Sequence, residues 1–506
     1  MSVDASPEKL VLKDIKPLDP FLIVDTFFQS KNLWKSQHAI DSFDQFISSD
    51  TNGLKYIIQR ENPQVILKEE SDSGFRYEIY LYYGHVIESL QGDKPLKYTS
   101  NNIYVSSPVI HSEGQSSLMW PNIARLRGLT YGSSVLCDIG VVFRDNVSDE
   151  ISFQNIEKVN IGLIPIMVRS QLCVLNGLDS TRLTEVGEDP YEQGGYFIIK
   201  GAEKVIISQE KKIDNILYVN SSSDEMIPMK AVIKSVSNQG FQSSRTNAIS
   251  LKRVIVEGEY AKTHQYRIEV RILGLETNIP LYVLYRALGL TSDRDISRTI
   301  VYDTDEPHLK NALYDALRPA IADSQPVYDQ RNALKLIALG TKEKEIINIL
   351  DILKNNFFPN YSDNLTKCLY LGYATRKLLM TKLKINSETD RDSYAFKRID
   401  LAGSLLNELY RELWSGFQRN VGLKIDTEHK FNFKLYNNDI KKIVCPENKR
   451  KIFNPKNMET LVKSFGSKFG TGLSARQGIV QALNRNSALG YTSHIRRIAN
   501  PLPKGS

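Results

Sequence analysis

Arg476, Arg485, Arg496 and Arg497, with Lys468, Asn484 and His494, lie in a C-terminal stretch that has no acid after Glu459. Guanidinium and ammonium groups neutralise phosphates, while Asn, Gln and His hydrogen-bond sugars and base edges. The chemistry these residue types support is the gripping of a polyanion. Eight of the chain's 65 Lys and Arg, and one of its 58 acids, fall within residues 454–506, which leaves 57 of each sign elsewhere. The whole formal excess of +7 therefore sits at one end of the chain, the footprint of a polyanionic partner. A solvated basic tail is the bland alternative. Against it, Ile479, Val480, Ala482 and Leu483 are interleaved with the basic residues at helix-like spacing, as in a packed segment. "RQGIVQALNR" (Arg476–Arg485) is accordingly expected to form about three helical turns. Asn486–Gly490 should break that helix before "YTSHIRRI" resumes. Asn484 reads equally well as a helix-terminal residue bonded to its own backbone, and His494 as a packed histidine.

Other chemistry is missing from the sequence. There is no P-loop, GxGxxG, HExxH or GxSxG. Asp390-Arg391-Asp392 pairs two carboxylates, but neighbouring residues point different ways, and a local ion pair in an exposed loop explains them. The remaining histidines (His38, His85, His111, His264, His308 and His429) have no metal-ligand spacing. Nothing here would hold the metal ions that phosphoryl transfer needs, so the chain alone is not expected to be a catalyst. Cys137, Cys173, Cys368 and Cys445 are far apart and form no CxxC, which argues against a disulfide framework or a cysteine-built zinc site.

The basic segment ends a chain of 506 residues, long enough for two to four domains. No apolar run reaches the roughly 18 residues of a membrane span, and MSVDASPEKLVLKD lacks a signal-peptide pattern. An intracellular protein is expected. Phe21–Phe28 and Trp34–Ile47 carry apolar residues three and four apart and predict helices. "RYEIYLYYGHV" (Arg76–Val86) predicts a strand, and Pro121–Phe143 a turn leading into strands. "IGLIPIMVRS" (Ile161–Ser170), with Pro165, predicts a strand at a sheet edge. Gly194-Gly195 and Gly201 bracket a further strand, Tyr196–Lys200. Alternation over Lys230–Leu273 predicts an antiparallel sheet. Helices are expected over Ile279–Leu288, His308–Leu317, Lys344–Asn355, Leu365–Leu383 and Ser404–Phe417. The loops at 219–226 and 385–393 are the expected joints of a multidomain α+β chain.

Several stretches, in this order, resemble the second-largest subunit of multisubunit DNA-directed RNA polymerases, the counterpart of the bacterial beta subunit. They are "DSFDQFI" (Asp41–Ile47), "ARLRGLTYGSSV" (Ala124–Val135), "IGLIPIMVRSQLC" (Ile161–Cys173) and "GGYFIIKGAEKVIISQE" (Gly194–Glu210). "IPLYVLYRALG" (Ile279–Gly289), "DRDSYAFKRIDLAGSLL" (Asp390–Leu406) and the closing "SARQGIVQALNR…SHIRR" complete the series. The resemblance implies a mixed sheet-and-helix protrusion from residues 1–205 and 405–453, an inserted lobe domain at 206–404, and a helical C-terminal fork segment at 454–506. Protrusion and lobe would wall one side of the DNA cleft. The fork loops, about Phe465–Gly472 and Asn486–Tyr491, would lie against the RNA–DNA hybrid and the downstream edge of the bubble.

Carried over by position, the nucleic-acid contacts implied are Arg476, Asn484, Arg485, His494, Arg496, Arg497 and Lys468. Lys204, in "GAEKV", is a weaker cleft-facing candidate that reads more readily as a surface lysine in a turn. In bacterial forms the same stretch lines the rifamycin pocket, but "RNSALGYTSHI" departs from that pattern, so drug sensitivity does not follow. The catalytic magnesium belongs to the largest subunit of such enzymes, and no cofactor is expected on this chain. Expected partners are the remaining C-terminal part of the second-largest subunit, the largest and smaller subunits, the DNA template and the RNA–DNA hybrid, with no membrane. The family chain continues past this point, so a fragment or a naturally split subunit is expected. The Asn/Ile/Lys-rich composition and "GEDPYEQGGYF" resemble the forms of large DNA viruses. That would put the protein in nucleus, cytoplasm or virion. The rival reading is a stand-alone, non-catalytic nucleic-acid-binding or polymerase-regulating module.

Overall fold

The computed structural model describes residues 20–500, except 31–32, 72–73, 92–93, 100, 113–114, 238–243, 258–261, 303–305, 342–343 and 473–474. The N-terminal stretch read above for a signal pattern and residues 501–506 lie outside them. The chain is α+β and divides into two compact units. One holds the described residues up to Glu210 and from Ile399 onward, and the other holds Lys211–Arg398.

The first unit opens with helices α1 (Pro20–Ser30) and α2 (Gln37–Ser48). Ala39, Ile40, Phe43, Phe46 and Ile47 are buried on one stripe of α2, as the apolar spacing requires. Strands β1 (Gln64–Ser71), β2 (Gly74–Tyr83), β3 (Ile103–Val105), β4 (Gly132–Asp145) and β5 (Glu150–Pro165) form an antiparallel sheet in the order β1-β2-β4-β3, with β5 also paired to β4. The strand expected at Arg76–Val86 is β2, and its burial has a period of two: Tyr77, Ile79, Leu81 and Tyr83 are buried, and Glu78, Tyr80 and Tyr82 alternate with them. The turn expected from Pro121 is a short helix, α3 (Pro121–Leu126). Proline at its first position has φ preset for a helix and lacks only an N–H that would go unpaired there. The run expected as a short edge strand is the end of the sixteen-residue β5, which stops at Pro165.

Next come β6 (Phe197–Ile199), β7 (Ala202–Ile206) and β8 (Ser208–Lys212). β6 and β7 form a hairpin around Lys200 and Gly201, both at positive φ (49° and 78°). This is the geometry that matches the twist of the flanking strands.

The second unit is a five-stranded antiparallel meander in chain order: β9 (Leu217–Ser221), β10 (Met229–Ser235), β11 (Arg245–Glu257), β12 (Lys262–Arg271) and β13 (Ile279–Pro280). Helices α4 (Leu281–Leu288), α5 (Asp293–Ile300), α6 (Pro307–Asp323), α7 (Gln330–Ala338), α8 (Ile346–Asn355) and α9 (Asn364–Lys382) share one apolar core with that sheet. Helices α5 and α7 were not expected from the sequence. α5 buries Ile296, Ser297 and Ile300, and two apolar residues on an otherwise polar helix are too thin a stripe to stand out. The 219–226 stretch, expected as a joint, lies inside this unit, since the chain passes between units at Glu210/Lys211 and Arg398/Ile399.

Back in the first unit, α10 (Ala402–Asn432) runs 31 residues, well past the expected Phe417. Its apolar stripe continues through Val421 and Ile425. The last elements are β14 (Val480–Ala482), α11 (Ala488–Ile495) and β15 (Ile498–Ala499). The helix expected over Arg476–Arg485 is therefore wrong. Gly478 takes φ +81°, and the backbone of 480–482 is claimed by β7, with Lys204 opposite Ala482 and Ile206 opposite Val480. A helix begins instead at Ala488, inside the stretch expected to break one.

Candidate nucleic-acid interface

Both ends of the basic segment are laid on consecutive strands. β14 runs antiparallel on β7, extended by Ile207 N–H to Ile479 O (2.8 Å) and Leu483 N–H to Glu203 O (3.1 Å). β15 runs parallel on β8, with Ser208 opposite Ile498. Everything from 483 to 497 is thus a loop and helix returned to the same short strands. Upstream, Phe469 and Arg476 exchange a pair of backbone hydrogen bonds at 2.8 Å and close the base of a second loop. Gly470 and Gly472 turn that loop at φ +112° and +48°.

The candidates fall into several groups. Lys468, Arg476 and Arg497 are exposed, and no carboxylate among the described residues pairs with their side chains. Lys204 is half-buried on β7, also without such a partner. Arg496 is exposed but anchored: it donates to Trp34 O (2.9 Å) and Lys35 O (3.4 Å), with its guanidinium over the Trp34 ring. These acceptors are neutral, so its charge is not cancelled.

Arg485 is different. Its Nε donates to Glu203 Oε2 (2.8 Å), and one Nη donates to Glu203 Oε1 (3.0 Å), Glu192 Oε2 (3.1 Å) and Tyr196 Oη (2.8 Å). Arg125 enters the same cluster, donating to Glu203 (2.9 Å), Glu188 (3.0 Å) and Tyr196 Oη (2.6 Å). Burial by itself would raise the Glu203 pKa, but hydrogen bonds and charge from Arg485 and Arg125 outweigh it and hold the carboxyl below its ordinary value. Burial and the Glu192 charge push the Tyr196 phenol well above its ordinary value, so it stays a neutral hydroxyl.

Asn484 and His494 come together. The Asn484 N–H donates to His494 Nδ1 (3.1 Å), while the Asn484 side chain accepts from the Asn486 N–H (3.0 Å). Ser487 caps α11 by accepting from the Gly490 N–H at 3.0 Å. His494 is buried, and burial, followed by the nearby Arg497 charge, lowers its pKa. The sequence singled out Arg485 but not Arg125, Glu188, Glu192, Tyr196 or Glu203. "GEDPYEQGGYF" and "GAEKV" carried the signal, but nothing local says that an arginine more than 280 residues on will reach them.

The family model described as "RNA polymerase beta subunit" matches residues 34–443. The chain is 30% identical to the DNA-directed RNA polymerase II subunit RPB2 of Encephalitozoon cuniculi over 501 residues, covering 95% of this chain and 40% of that protein. It is 31% identical to DNA-directed RNA polymerase II subunit 2 of Arabidopsis thaliana over 519 residues, covering 97% and 40%. With the archaeal DNA-directed RNA polymerase subunit Rpo2N of Methanothermobacter thermautotrophicus it shares 26% over 508 residues, covering 95% and 86%. The chain therefore spans about two-fifths of the length of its eukaryotic relatives. These relatives are cellular, and the expected viral affiliation gains no support from them. A matched stretch of 410 residues, with such relatives on either side of the eukaryotic–archaeal divide, places the chain in the RNA polymerase beta subunit family.

Proposed function

We propose that the chain is the N-terminal portion of the second-largest subunit of a DNA-dependent RNA polymerase, and that it works only in that assembly. In this reading Lys211–Arg398 is the lobe, and the remainder is the protrusion with the fork. Together they form one wall of the DNA cleft, and the loops near 470 and 488 approach the RNA–DNA hybrid and the downstream bubble edge. Family membership supports the assembly. The single observation that supports the nucleic-acid role is the set of exposed, unneutralised cations (Lys468, Arg476, Arg497) on the segment that carries the chain's whole charge excess.

The catalytic magnesium would be held by the largest subunit. Among the described residues no group of three or more His, Cys, Asp or Glu could hold a metal ion. This chain's own contribution would be to orient the template and hybrid by phosphate contacts, with no proton transfer. No helix among the described residues is long and apolar enough to cross a membrane.

Affinity purification from the native source is the test. Recovery of the largest subunit and the rest of the second-largest subunit, with template-directed RNA synthesis by the assembly and none by the isolated chain, is expected. Recovery of the chain alone, bound to nucleic acid, would replace this reading with that of a stand-alone module.

A further inference from the structure

The two ends of the 486–490 segment, which runs from a short loop into the first turn of α11, are fastened to one short piece of chain. At one end Arg485 binds Glu192, Tyr196 and Glu203. At the other, Tyr491 Oη donates to Gly194 O at 2.5 Å. That base has little freedom. Gly194 and Gly195 both take positive φ (70° and 80°), and a Cβ on Gly194 would stand 2.3 Å from Val168 O. Glu192 closes the turn by accepting from the Gly194 N–H (2.9 Å) and from Tyr196 Oη (2.9 Å).

The charge on Arg485 is also spoken for. Arg125 and Arg485 carry two positive charges against three carboxylates, Glu188, Glu192 and Glu203, so the cluster is net negative. A phosphate brought to Arg485 would meet that excess. Glu203 is the hub: its carboxylate takes two bonds from Arg485, one on each oxygen, and Oε1 also accepts from Arg125 Nε. Two-point guanidinium–carboxylate contact fixes orientation as well as distance, which a lysine ammonium cannot do.

We infer that Glu203 is a positioning residue: by holding Arg485 it sets where the 486–490 segment, with the first turn of α11, leaves the sheet, and Arg485 acts inward on the protein rather than outward on phosphate. This rests on the proposed polymerase role for its functional consequence, but its structural part stands without it. In the assembled enzyme the loop would then be held at the downstream bubble edge by a carboxylate that touches no nucleic acid.

The test has two arms. In the isolated chain, amide hydrogen exchange over Asn486–Gly490 is measured for Glu203→Gln, Arg485→Ala, Arg485→Lys and the double variant Glu203→Gln/Arg485→Ala. Charged hydrogen bonds of this kind predict a loss of loop protection of about ten- to hundredfold. Glu203→Gln and Arg485→Ala should behave alike, the double variant should be no worse than Arg485→Ala, and Arg485→Lys should not restore protection. Exchange in β2, away from the cluster, controls for global unfolding. Loop exchange unchanged by Glu203→Gln, or restored by Arg485→Lys, would overturn the inference.

In the assembled polymerase, 2-aminopurine placed at the downstream bubble edge should report the same altered opening for Glu203→Gln and Arg485→Ala. The salt slope of template binding should stay constant in both. A slope lowered by about one unit in Arg485→Ala would make Arg485 a phosphate contact and overturn the inference. If no polymerase assembles around the chain, the proposed function fails while the exchange arm still decides the role of Glu203.

Discussion

The buried ring of His494 accepts the backbone N–H of Asn484 at Nδ1, 3.1 Å away, and so ties the end of one strand to the last turn of the following helix. A backbone amide can only donate, so Nδ1 is unprotonated and the ring proton sits on Nε2, facing Gln481 Oε1 at 3.1 Å. The neutral ring is therefore the one that fits. Burial, and then Arg497, lower its pKa from 6.5.

A lowered folded-state pKa means that the unfolded chain binds the proton more readily, so this contribution to stability is complete above pH 6.5 and is lost as the pH falls through the folded value. Protection of the Asn484 amide, taken relative to its intrinsic exchange rate at each pH, should fall over that acid window. His494→Phe keeps the ring but strands the Asn484 N–H, which should cost about 1–3 kcal/mol and abolish the pH dependence. An Asn484 amide with the same protection factor on both sides of the window would contradict the bond.

Gly403 sits where α10 meets α2. A Cβ there would stand 1.9 Å from Ser42 O, and the Gly403 N–H donates to Ser42 Oγ at 3.1 Å. Gly403→Ala must push the helices apart and should destabilise the first unit by about 1–3 kcal/mol or more. Gly416, further along the same helix, has only Asn457 Nδ2 near its would-be Cβ, at 3.6 Å. Gly416→Ala should instead gain about 0.5–1 kcal/mol from helix propensity. Thermal melts of the two variants should move in opposite directions.

What could be read in advance followed local periodicity. The Tyr-, Ile- and Val-rich run at Arg76–Val86 and the apolar spacing of Trp34–Ile47 predicted their elements because a strand or helix buried on one face selects such residues and such spacing. The 479–483 stretch misled for a physical reason. Ile479, Val480, Ala482 and Leu483 are apolar enough for either structure, and the choice was made by β7, a partner strand more than 270 residues away. The site was half legible. The exposed cations announced themselves by charge, but the carboxylates that neutralise Arg485 lie in another part of the sequence, and only the fold brings them within hydrogen-bonding distance.

In the second unit, the fully buried guanidinium of Arg286 reaches Asp293 at 2.5 Å and the carbonyls of Ser324 and Val327. Removing one partner of a buried pair leaves a charge with nothing to answer it, at a cost of about 3–5 kcal/mol, whereas replacing both can be nearly neutral. Asp293 is partly exposed, so Asp293→Ala should fall at or below the lower end. Arg286→Met combined with Asp293→Ala should recover part of the loss. Urea midpoints for the two single variants and the double give the coupling directly, and strictly additive losses would show that the pair contributes nothing.

Arg476 and Arg497 provide the sharpest test of the charged segment. Both are exposed and have no carboxylate partner among the described residues, so each is free to displace a counterion from nucleic acid. Loss of one phosphate contact lowers the slope of log affinity against log salt by about one unit. For the assembled polymerase on a bubble template, Arg476→Ala and Arg497→Ala should each produce that change, and the double variant about twice as much. Transcripts should shorten as the hybrid is held less firmly. Because both side chains point away from the core, melting temperatures should hardly move, which separates lost contact from lost fold. Wild-type slopes in both variants would mean that the exposed cations never meet phosphate, and the segregation of charge would then need another explanation.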